Sequence, residues 1–121
     1  MVCVKLNYKL WLEEDNEKLF GDGPADILNL VDKLGSLSKA AAEINMSYSQ
    51  AWQLIDKLEK KLGFKLLEKQ VGGSDGGGST LTTKGRILMD TFLQFRKEAV
   101  VELSKLEKDY FTDQLMNKLN R

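Results

Sequence analysis

Five side chains between Ser47 and Gln53 carry hydroxyl or carboxamide groups, which suit recognition of a nucleobase. A glutamine carboxamide donates and accepts hydrogen bonds together, matching the N6/N7 edge of adenine. Gln53 has no evident local partner, so it is the first candidate for such a contact. Ser47 fits a helix N-cap better than a reader, and Gln50 suits a base contact and a Ser47-x-x-Gln50 capping box equally. Ser49 can bond a base or a phosphate.

Catalytic and metal chemistry lack the residues they most often use. The chain has no histidine and one cysteine, Cys3. This composition removes the commonest general base and every Ser-His or Cys-His nucleophile pair, and it leaves no zinc ligand set or intrachain disulfide. Cys3 is interpreted as a small apolar residue. We therefore expect no enzyme, no metal or cofactor, and no small-molecule ligand in this chain.

The charges are unevenly distributed, although the net charge is zero. Residues 1–46 carry five Lys and eight acids, whereas residues 47–86 carry seven Lys or Arg and four acids. A local positive excess favours contact with DNA phosphates. The cations that suit contact with the DNA backbone are Lys57, Lys60, Lys61, Lys65, Lys69, Lys84 and Arg86. An ordinary solvated face is the alternative for each of them.

The polar residues at 47–53 begin a predicted helix that ends at Gly63. At 100° per residue, one arc of about 100° is apolar and the opposite arc is polar. The apolar arc consists of Ala51, Leu54, Ile55, Leu58 and Leu62. Tyr48 and Trp52 lie at the boundary, where a core position is the leading interpretation of Trp52 and a DNA contact stays open.

Two shorter helices precede this one. The first is predicted from Pro24 to Leu34 with Gly35 as its end, and the second follows Ser36 as N-cap and runs through Ile44. Its three consecutive alanines allow another helix to cross closely. Ser36 is also a candidate DNA contact. The arrangement is typical of a helix-turn-helix.

A glycine-rich hairpin is predicted after the third helix. Phe64 to Val71 reads as a strand, five glycines follow among residues 72–78, and Ser79 to Leu81 reads as the return strand. A phosphate-binding P-loop would need a Gly-Lys-Ser/Thr ending and a following helix, and this segment has neither. The hairpin therefore predicts a wing, with Gly76 and Gly77 able to approach the DNA backbone closely.

The N-terminal residues predict a small β element. Every second residue from Val4 to Leu12 is apolar, a period typical of a strand with one buried face. Asp15-Asn16 supplies a turn, and residues 18–20 a short return strand. No signal peptide or membrane-spanning run is present, so we expect a cytoplasmic protein that does not contact a membrane.

From Thr82 or Thr83 the chain is predicted to be helical almost to its end. A helix of about 25–35 residues would extend roughly 40–50 Å, too far for one small domain to cover. We therefore expect a homodimer, with residues 1–82 as the DNA-binding domain (wing about 64–82) and residues 83–121 as a dimerisation helix. The predicted contact residues are Leu88, Phe92, Phe95, Ala99, Leu103, Leu106 and Tyr110.

Three segments together resemble the N-terminal DNA-binding domain of ModE-type, molybdate-responsive regulators: GSLSKAA from Gly35, MSYSQAW from Met46, and GGSDGGG from Gly72 with Leu-Thr at 81–82. The Ser-Tyr-x-x-Ala-Trp start and the glycine pattern are the specific parts. The Gly-Ser…Ala-Ala, Leu-Glu-x-x-Leu-Gly and Leu-Thr-x-x-Gly elements also resemble LysR-type regulators. The resemblance covers about residues 20–105.

The resemblance implies a mainly α fold with small β elements: a winged helix-turn-helix with an N-terminal hairpin and a long C-terminal dimerisation helix. It implies a transcription factor that binds double-stranded DNA as a homodimer. It places on the recognition helix Ser47, Tyr48, Ser49, Gln50, Trp52 and Gln53. Full members continue into a molybdate-sensing domain, whereas this sequence stops at Arg121, so we expect no molybdate binding by it.

The leading hypothesis is thus a dimeric, sequence-specific DNA-binding regulator. The alternative is a winged-helix module that docks a protein partner, which the zero net charge favours. Selective affinity for some DNA sequences over random DNA would distinguish the two.

Overall fold

The computed structural model describes residues 4–70 and 78–119. Within them, a β-hairpin leads into three helices, a second hairpin follows, and a long helix and a short one complete the fold. The elements are β1 (Trp11–Glu14), β2 (Glu17–Gly21), α1 (Asp22–Leu34), α2 (Leu37–Glu43), α3 (Tyr48–Leu62), β3 (Leu67–Lys69), β4 (Ser79–Leu81), α4 (Thr83–Tyr110) and α5 (Asp113–Lys118). None of the helices described is long and apolar enough to cross a membrane.

The first hairpin confirms the predicted turn and return strand. Asp15 and Asn16 both have positive φ, 51° and 66°, which suits a two-residue hairpin turn. The prediction of a strand from Val4 is wrong for residues 4–10, which lie outside the β1–β2 ladder. Strand β2 ends at Gly21, which pairs with Trp11. Residues 4–10 extend beyond this last pair, so β2 offers them no strand to pair with.

The ends of the three helices follow the predicted signals. Gly35 and Gly63 adopt left-handed φ angles of 74° and 82° at the ends of α1 and α3. Ser36 caps α2 by accepting the N–H of Lys39. Helix α1 begins at Asp22, two residues earlier than the predicted Pro24, which lies inside its first turn.

The hydrophobic core lies where α1, α2 and α3 meet β2 and the start of α4. Ala40 and Ala41 are fully buried, which confirms that the small residues of α2 let another helix approach closely. Phe20 of β2 packs edge-to-face on Phe92 of α4, with ring centroids 5.4 Å apart. The first third of α4 is therefore part of the same core as the three helices.

The second hairpin is shorter than predicted. Its first strand covers Leu67–Lys69 instead of Phe64 to Val71, and its second strand matches the predicted Ser79 to Leu81. Val71 and the predicted wing-tip residues Gly76 and Gly77 lie outside the described residues.

The long helix α4 has 28 residues, within the predicted range, but it does not continue to the end of the chain. It stops at Tyr110, and Thr112 caps the separate helix α5 by accepting the N–H of Leu115 at 3.2 Å. Because a Thr N-cap satisfies the free N–H groups of a new helix, it competes with continuation of the old one.

Candidate nucleic-acid interface

A reciprocal capping box fixes the start of α3. The Ser47 hydroxyl accepts the N–H of Gln50 at 3.1 Å, and the Gln50 carboxamide oxygen accepts the N–H of Ser47 at 3.2 Å. Both side chains thus have a local structural role. Gln50 still presents its amide nitrogen, which has no partner among the described residues, so a base contact through that atom stays a prediction.

The outer face of α3 carries Ser49, Gln53 and Lys57, which we call the reading arc. All three are exposed, and none takes part in a side-chain hydrogen bond within the part of the chain that the structure describes. The opposite face is packed into the core, where Ala51, Ile55 and Leu58 are buried. The two arcs therefore divide as the sequence predicted, with donor and acceptor groups left facing outward.

Tyr48 and Trp52 lie on a third face of α3, the one turned toward the wing. Each is 46% exposed, so the interpretation of Trp52 as a core residue is wrong. They line a groove of about 570 Å³ between α3 and the second hairpin, with Lys65 and Lys69 among the residues opposite. Since the two aromatic residues are four apart on one helix, they form a continuous apolar wall beside the reading arc.

Glu59 of α3 holds the first part of the wing. Its carboxylate accepts the N–H groups of Leu66 at 2.7 Å and Leu67 at 3.2 Å, and it lies 3.5 Å from the ammonium group of Lys65. Glu59 was not among the functional residues predicted from the sequence. Glu59 is the acidic residue of the Leu-Glu-x-x-Leu-Gly element, which the sequence does show. No sequence rule, however, predicts that this carboxylate binds backbone N–H groups seven and eight residues later.

The other contacts of the wing base (residues 65–67 and 79–82) come from α4 and α1. Thr82 donates its hydroxyl to the Lys65 carbonyl at 2.6 Å and caps α4 by accepting the N–H of Gly85. Gly85 packs directly on the Leu66 carbonyl, leaving no room for a β-carbon. On the other strand, the Ser79 N–H donates to the Gly35 carbonyl at 2.9 Å. Contacts with α1, α3 and α4 thus fix the position of the wing base on the core.

The predicted phosphate-binding cations fall into two groups. Lys57, Lys69 and Lys84 form no ion pair with any residue in the described ranges, and the ammonium of Lys84 lies 5.7 Å from the centre of the Phe64 ring. Their charges are thus available to an anionic ligand. The other lysines of this region are paired with carboxylates: Lys60 with Asp56, Lys61 with Glu17, and Lys65 with Glu59.

Arg86 is different from the three unpaired lysines. Its guanidinium binds both carboxylate oxygens of Asp32 on α1. Hydrogen bonding and charge attraction from Asp32 raise the pKa of Arg86 above its ordinary value. Asp32 thus neutralises the charge of Arg86 within the chain, and a contact of Arg86 with the DNA backbone stays a prediction.

Ser36 lies beside the groove, at a separate cavity that shares Tyr48 and Lys69 with it. Its hydroxyl accepts the N–H of Lys39 at 3.2 Å, so its first role is to cap α2. It also lines a small cavity of about 160 Å³ together with Tyr48, Lys69 and Gly78. The structure thus brings Ser36 beside three residues from α3 and the hairpin, although the sequence separates them by 12 to 42 positions.

The seven predicted dimerisation residues do not share one environment. Phe92 is 3% exposed, so its prediction as a contact with a partner chain is wrong: the core of its own chain already buries it. Leu88 also packs against that core, and Ala99 and Leu103 are half-buried. Three residues remain largely exposed, at 50%, 51% and 69%: Phe95, Leu106 and Tyr110.

A family model described as the bacterial regulatory helix-turn-helix protein, lysR family, matches residues 26–86, from α1 to the first turn of α4. The chain belongs to this lysR family. The matched range contains α2, α3 and both strands of the wing. The predicted resemblance to LysR-type regulators is thereby confirmed.

Two curated relatives of this lysR-family chain also confirm the resemblance to ModE. The molybdenum transport protein ModE of Azotobacter vinelandii is 26% identical over 108 residues, covering 89% of this chain and 40% of that protein. The DNA-binding transcriptional dual regulator ModE of Escherichia coli K12 is 33% identical over 92 residues, covering 73% and 35%. The chain spans less than half the length of these relatives.

Solved structures confirm the winged helix-turn-helix fold. The CbnR DBD in its DNA complex matches with a TM-score of 0.57 at 21% identity, over 70% of this chain and 92% of that one. ArgP from Mycobacterium tuberculosis matches with a TM-score of 0.55 at 26% identity, over 71% and 31%. Both similarities cover the greater part of the lysR-family chain described here.

Proposed function

We propose that this chain binds double-stranded DNA sequence-specifically and regulates transcription as a homodimer. The observation that carries the proposal is the reading arc, an exposed row of donors and acceptors on a capped helix whose other faces are occupied by the core and the groove. A helix of this kind fits the major groove, and its N-terminal half reaches the base edges. Membership of the lysR family and the DNA-binding regulators among its relatives support the same function.

Within this proposal, the side chains divide by role. Gln53 and Ser49 contact base edges, and Gln50 joins them through its amide nitrogen. The three unpaired lysines, at 57, 69 and 84, contact phosphates and fix the register of the helix on the duplex. Tyr48 and Trp52 pack against the sugar-phosphate strand that passes between α3 and the wing. Because the ligand is DNA, the proposed place of action is the cytoplasm, and no catalytic step is assigned.

The proposed dimer rests on the exposed apolar residues of α4. Phe95, Leu106 and Tyr110 repeat at intervals of 11 and 4 residues, which places them on one side of the helix. Residues 4–70 and 78–119 leave this side exposed, and a second α4 offers a matching apolar surface. Residues 87–121 carry six cations and six acids, so that two copies meet without an excess of like charge.

Selection of binding sites from random DNA by the purified chain tests the proposal, at low and moderate salt and with and without molybdate. We expect an enriched motif made of two related half-sites about 34 Å apart or a multiple of it. Affinity for the enriched sites no better than for random DNA would contradict sequence-specific binding. A chain that binds no DNA at low salt but co-purifies with another protein would support the protein-docking alternative.

The Gln53→Ala variant tests the assignment of the reading arc. We expect a loss of about 1–3 kcal/mol at one base position, with relaxed preference there and little change at other positions. Gln94→Ala is the matched control, because Gln94 is an exposed glutamine on α4 that bonds Glu98 at 3.3 Å. A uniform loss of affinity across all sequences would instead place Gln53 on the DNA backbone.

A further inference from the structure

The N-terminal segment, residues 4–10, has the sequence of a strand but no strand partner. Its apolar residues Val4, Leu6 and Tyr8 alternate with polar ones and are 37–41% exposed. Among the described residues, only Leu6 and Leu10 of this segment take part in hydrogen bonds. An edge of this kind, with a row of backbone donors and acceptors left open, favours pairing with another chain.

The segment is bonded directly to α4 at Leu6, and at Leu10 it is linked to α4 through Asp22 of α1. The Leu6 N–H donates to the Glu107 carboxylate at 3.0 Å. The Leu10 N–H donates to Asp22 at 2.9 Å, and the same carboxylate binds Arg96 at 3.1 Å. From Arg96 to Glu107 the helix rises about 16 Å, and four residues of extended chain span about 13 Å. The segment therefore runs along α4 near full extension, in the opposite direction.

The segment lies beside the exposed apolar stripe of α4, which consists of Phe95, Leu106 and Tyr110. Glu107 follows Leu106 directly and so projects about 100° away around the helix axis. The stripe is centred near residue 102 or 103, and the stretch of α4 that the segment accompanies is centred near residue 101 or 102. The segment and the stripe therefore occupy adjacent sides of the same part of the helix.

An antiparallel dimer through the stripe would bring two such segments together. Consider two α4 helices that pack antiparallel, related by a two-fold axis perpendicular to both helices. This axis places the segment beside one α4 and the segment beside the other α4 on the same side of the helix pair. Because each segment runs opposite to its own α4, the two segments also run opposite to each other. Because both segments are centred near the middle of the stripe, they overlap along their length.

We propose that residues 4–10 pair as an antiparallel β-strand with the same residues of a second copy, beside the α4 contact. The pairing satisfies the open backbone groups, and it places Val4, Leu6 and Tyr8 over the two long helices, where the alternating sequence predicts a buried face. The inference rests on the proposed α4 dimer and adds to it a second, β-sheet element contributed by both copies.

Cysteine scanning of the segment tests the pairing. In a Cys3→Ser background, the full chain carries one substitution at a time: Val4→Cys, Lys5→Cys, Leu6→Cys, Asn7→Cys, Tyr8→Cys or Lys9→Cys. In a symmetric antiparallel pair, the residues nearest the axis face their own copies within disulfide range. We expect cross-linking to peak at one or two adjacent positions, at a rate at least tenfold above that of Lys33→Cys on α1, and to fall on both sides.

Two further measurements separate this inference from the proposed dimer and from DNA binding. Leu106→Glu, added to the most reactive cysteine variant, is expected to abolish the cross-link and to release the backbone amides of residues 5, 7 and 9 to fast hydrogen exchange, because those of residues 6 and 10 are bonded within the chain. A chain that is dimeric by light scattering, yet cross-links no faster than Lys33→Cys at every position, overturns the strand pairing and leaves the α4 dimer intact. A monomer at all concentrations overturns both, whatever its affinity for DNA.

Discussion

The carboxylate of Glu59 lies 2.7 Å from the backbone nitrogen of Leu66 and accepts its N–H, which joins the last turns of α3 to the first residues of the wing. Leu66 is completely buried, so water cannot replace this acceptor. The contact makes the helix proposed to read DNA and the hairpin proposed to flank it parts of one rigid unit. Glu59 thus fixes the wing base from the side of α3, together with the contacts that Thr82, Gly85 and Gly35 supply.

Glu59→Ala should lower the free energy of unfolding by about 1–3 kcal/mol, because it leaves the buried N–H of Leu66 without an acceptor. Urea denaturation followed by circular dichroism measures the change. Glu68→Ala is the control, since Glu68 is exposed in the adjacent strand and should change stability by less than about 0.5 kcal/mol. Equal effects of the two substitutions would show that the Glu59 contact is not a structural anchor.

Gly85→Ala should destabilise the chain by about 1–3 kcal/mol, because the new methyl group would overlap the Leu66 carbonyl. Gly23→Ala provides a matched comparison within α1, where a β-carbon meets nothing within 4 Å. That variant should be as stable as the parent or slightly more so, since alanine favours helix. Thermal unfolding of both variants ranks them, and a Gly85→Ala protein as stable as Gly23→Ala would contradict the close packing.

Phe92→Ala and Leu106→Ala should have different effects, although both residues belong to the apolar pattern of α4. Phe92 packs in the core against Phe20, so its truncation should cost about 3–5 kcal/mol of unfolding free energy. Leu106 is 51% exposed, so its truncation should leave the stability of the monomer within about 0.5 kcal/mol but weaken self-association. Denaturation at low protein concentration and analytical ultracentrifugation separate the two quantities. A dimer as tight as the parent after the Leu106 change would remove α4 from the interface.

The salt dependence of DNA binding should distinguish Lys57 from Arg86. Each phosphate contact contributes about 0.9 to the slope of log K against log salt. Lys57→Ala should reduce the slope by about that amount, whereas Arg86→Ala should leave it nearly unchanged, because Asp32 holds the guanidinium. Fluorescence anisotropy titrations at several salt concentrations provide the slopes. If Arg86→Ala reduces the slope as much as Lys57→Ala does, the ion pair opens when DNA binds.

Local signals predicted the helices and their ends well. The Ser47 capping box and the glycines at 35 and 63 act within a few residues of themselves, so their effects can be inferred from short sequence windows. The division of α3 into apolar and polar arcs was equally local. The helical spacing of the apolar residues alone could not predict whether Trp52 is buried or exposed. Its side chain faces a groove whose opposite wall is the second hairpin, more than ten residues later in the chain.

Contacts between distant residues account for the predictions that were wrong. The spacing of Phe92 fits the apolar pattern of α4, but Phe20 of β2 packs on it and helps to bury it. The spacing of residues along α4 could not predict this contact with a distant strand. The ion pair of Arg86 with Asp32, 54 positions away in sequence, was likewise not predictable from local spacing. The strand predicted from Val4 failed in part because a strand needs a partner as well as an alternating pattern.

The hydrogen bond from Thr82 to the Lys65 carbonyl has a mechanical consequence, because Thr82 also begins α4. A displacement of the wing base would act on the first turn of α4, a helix that extends about 26 Å beyond Leu93, its last residue packed against the core. A tilt of about 5° of this part of the helix would move its far end by about 2 Å. Distortion of the DNA at one half-site would thus be magnified as it travels toward the subunit contact, where it would strain the alignment of the other half.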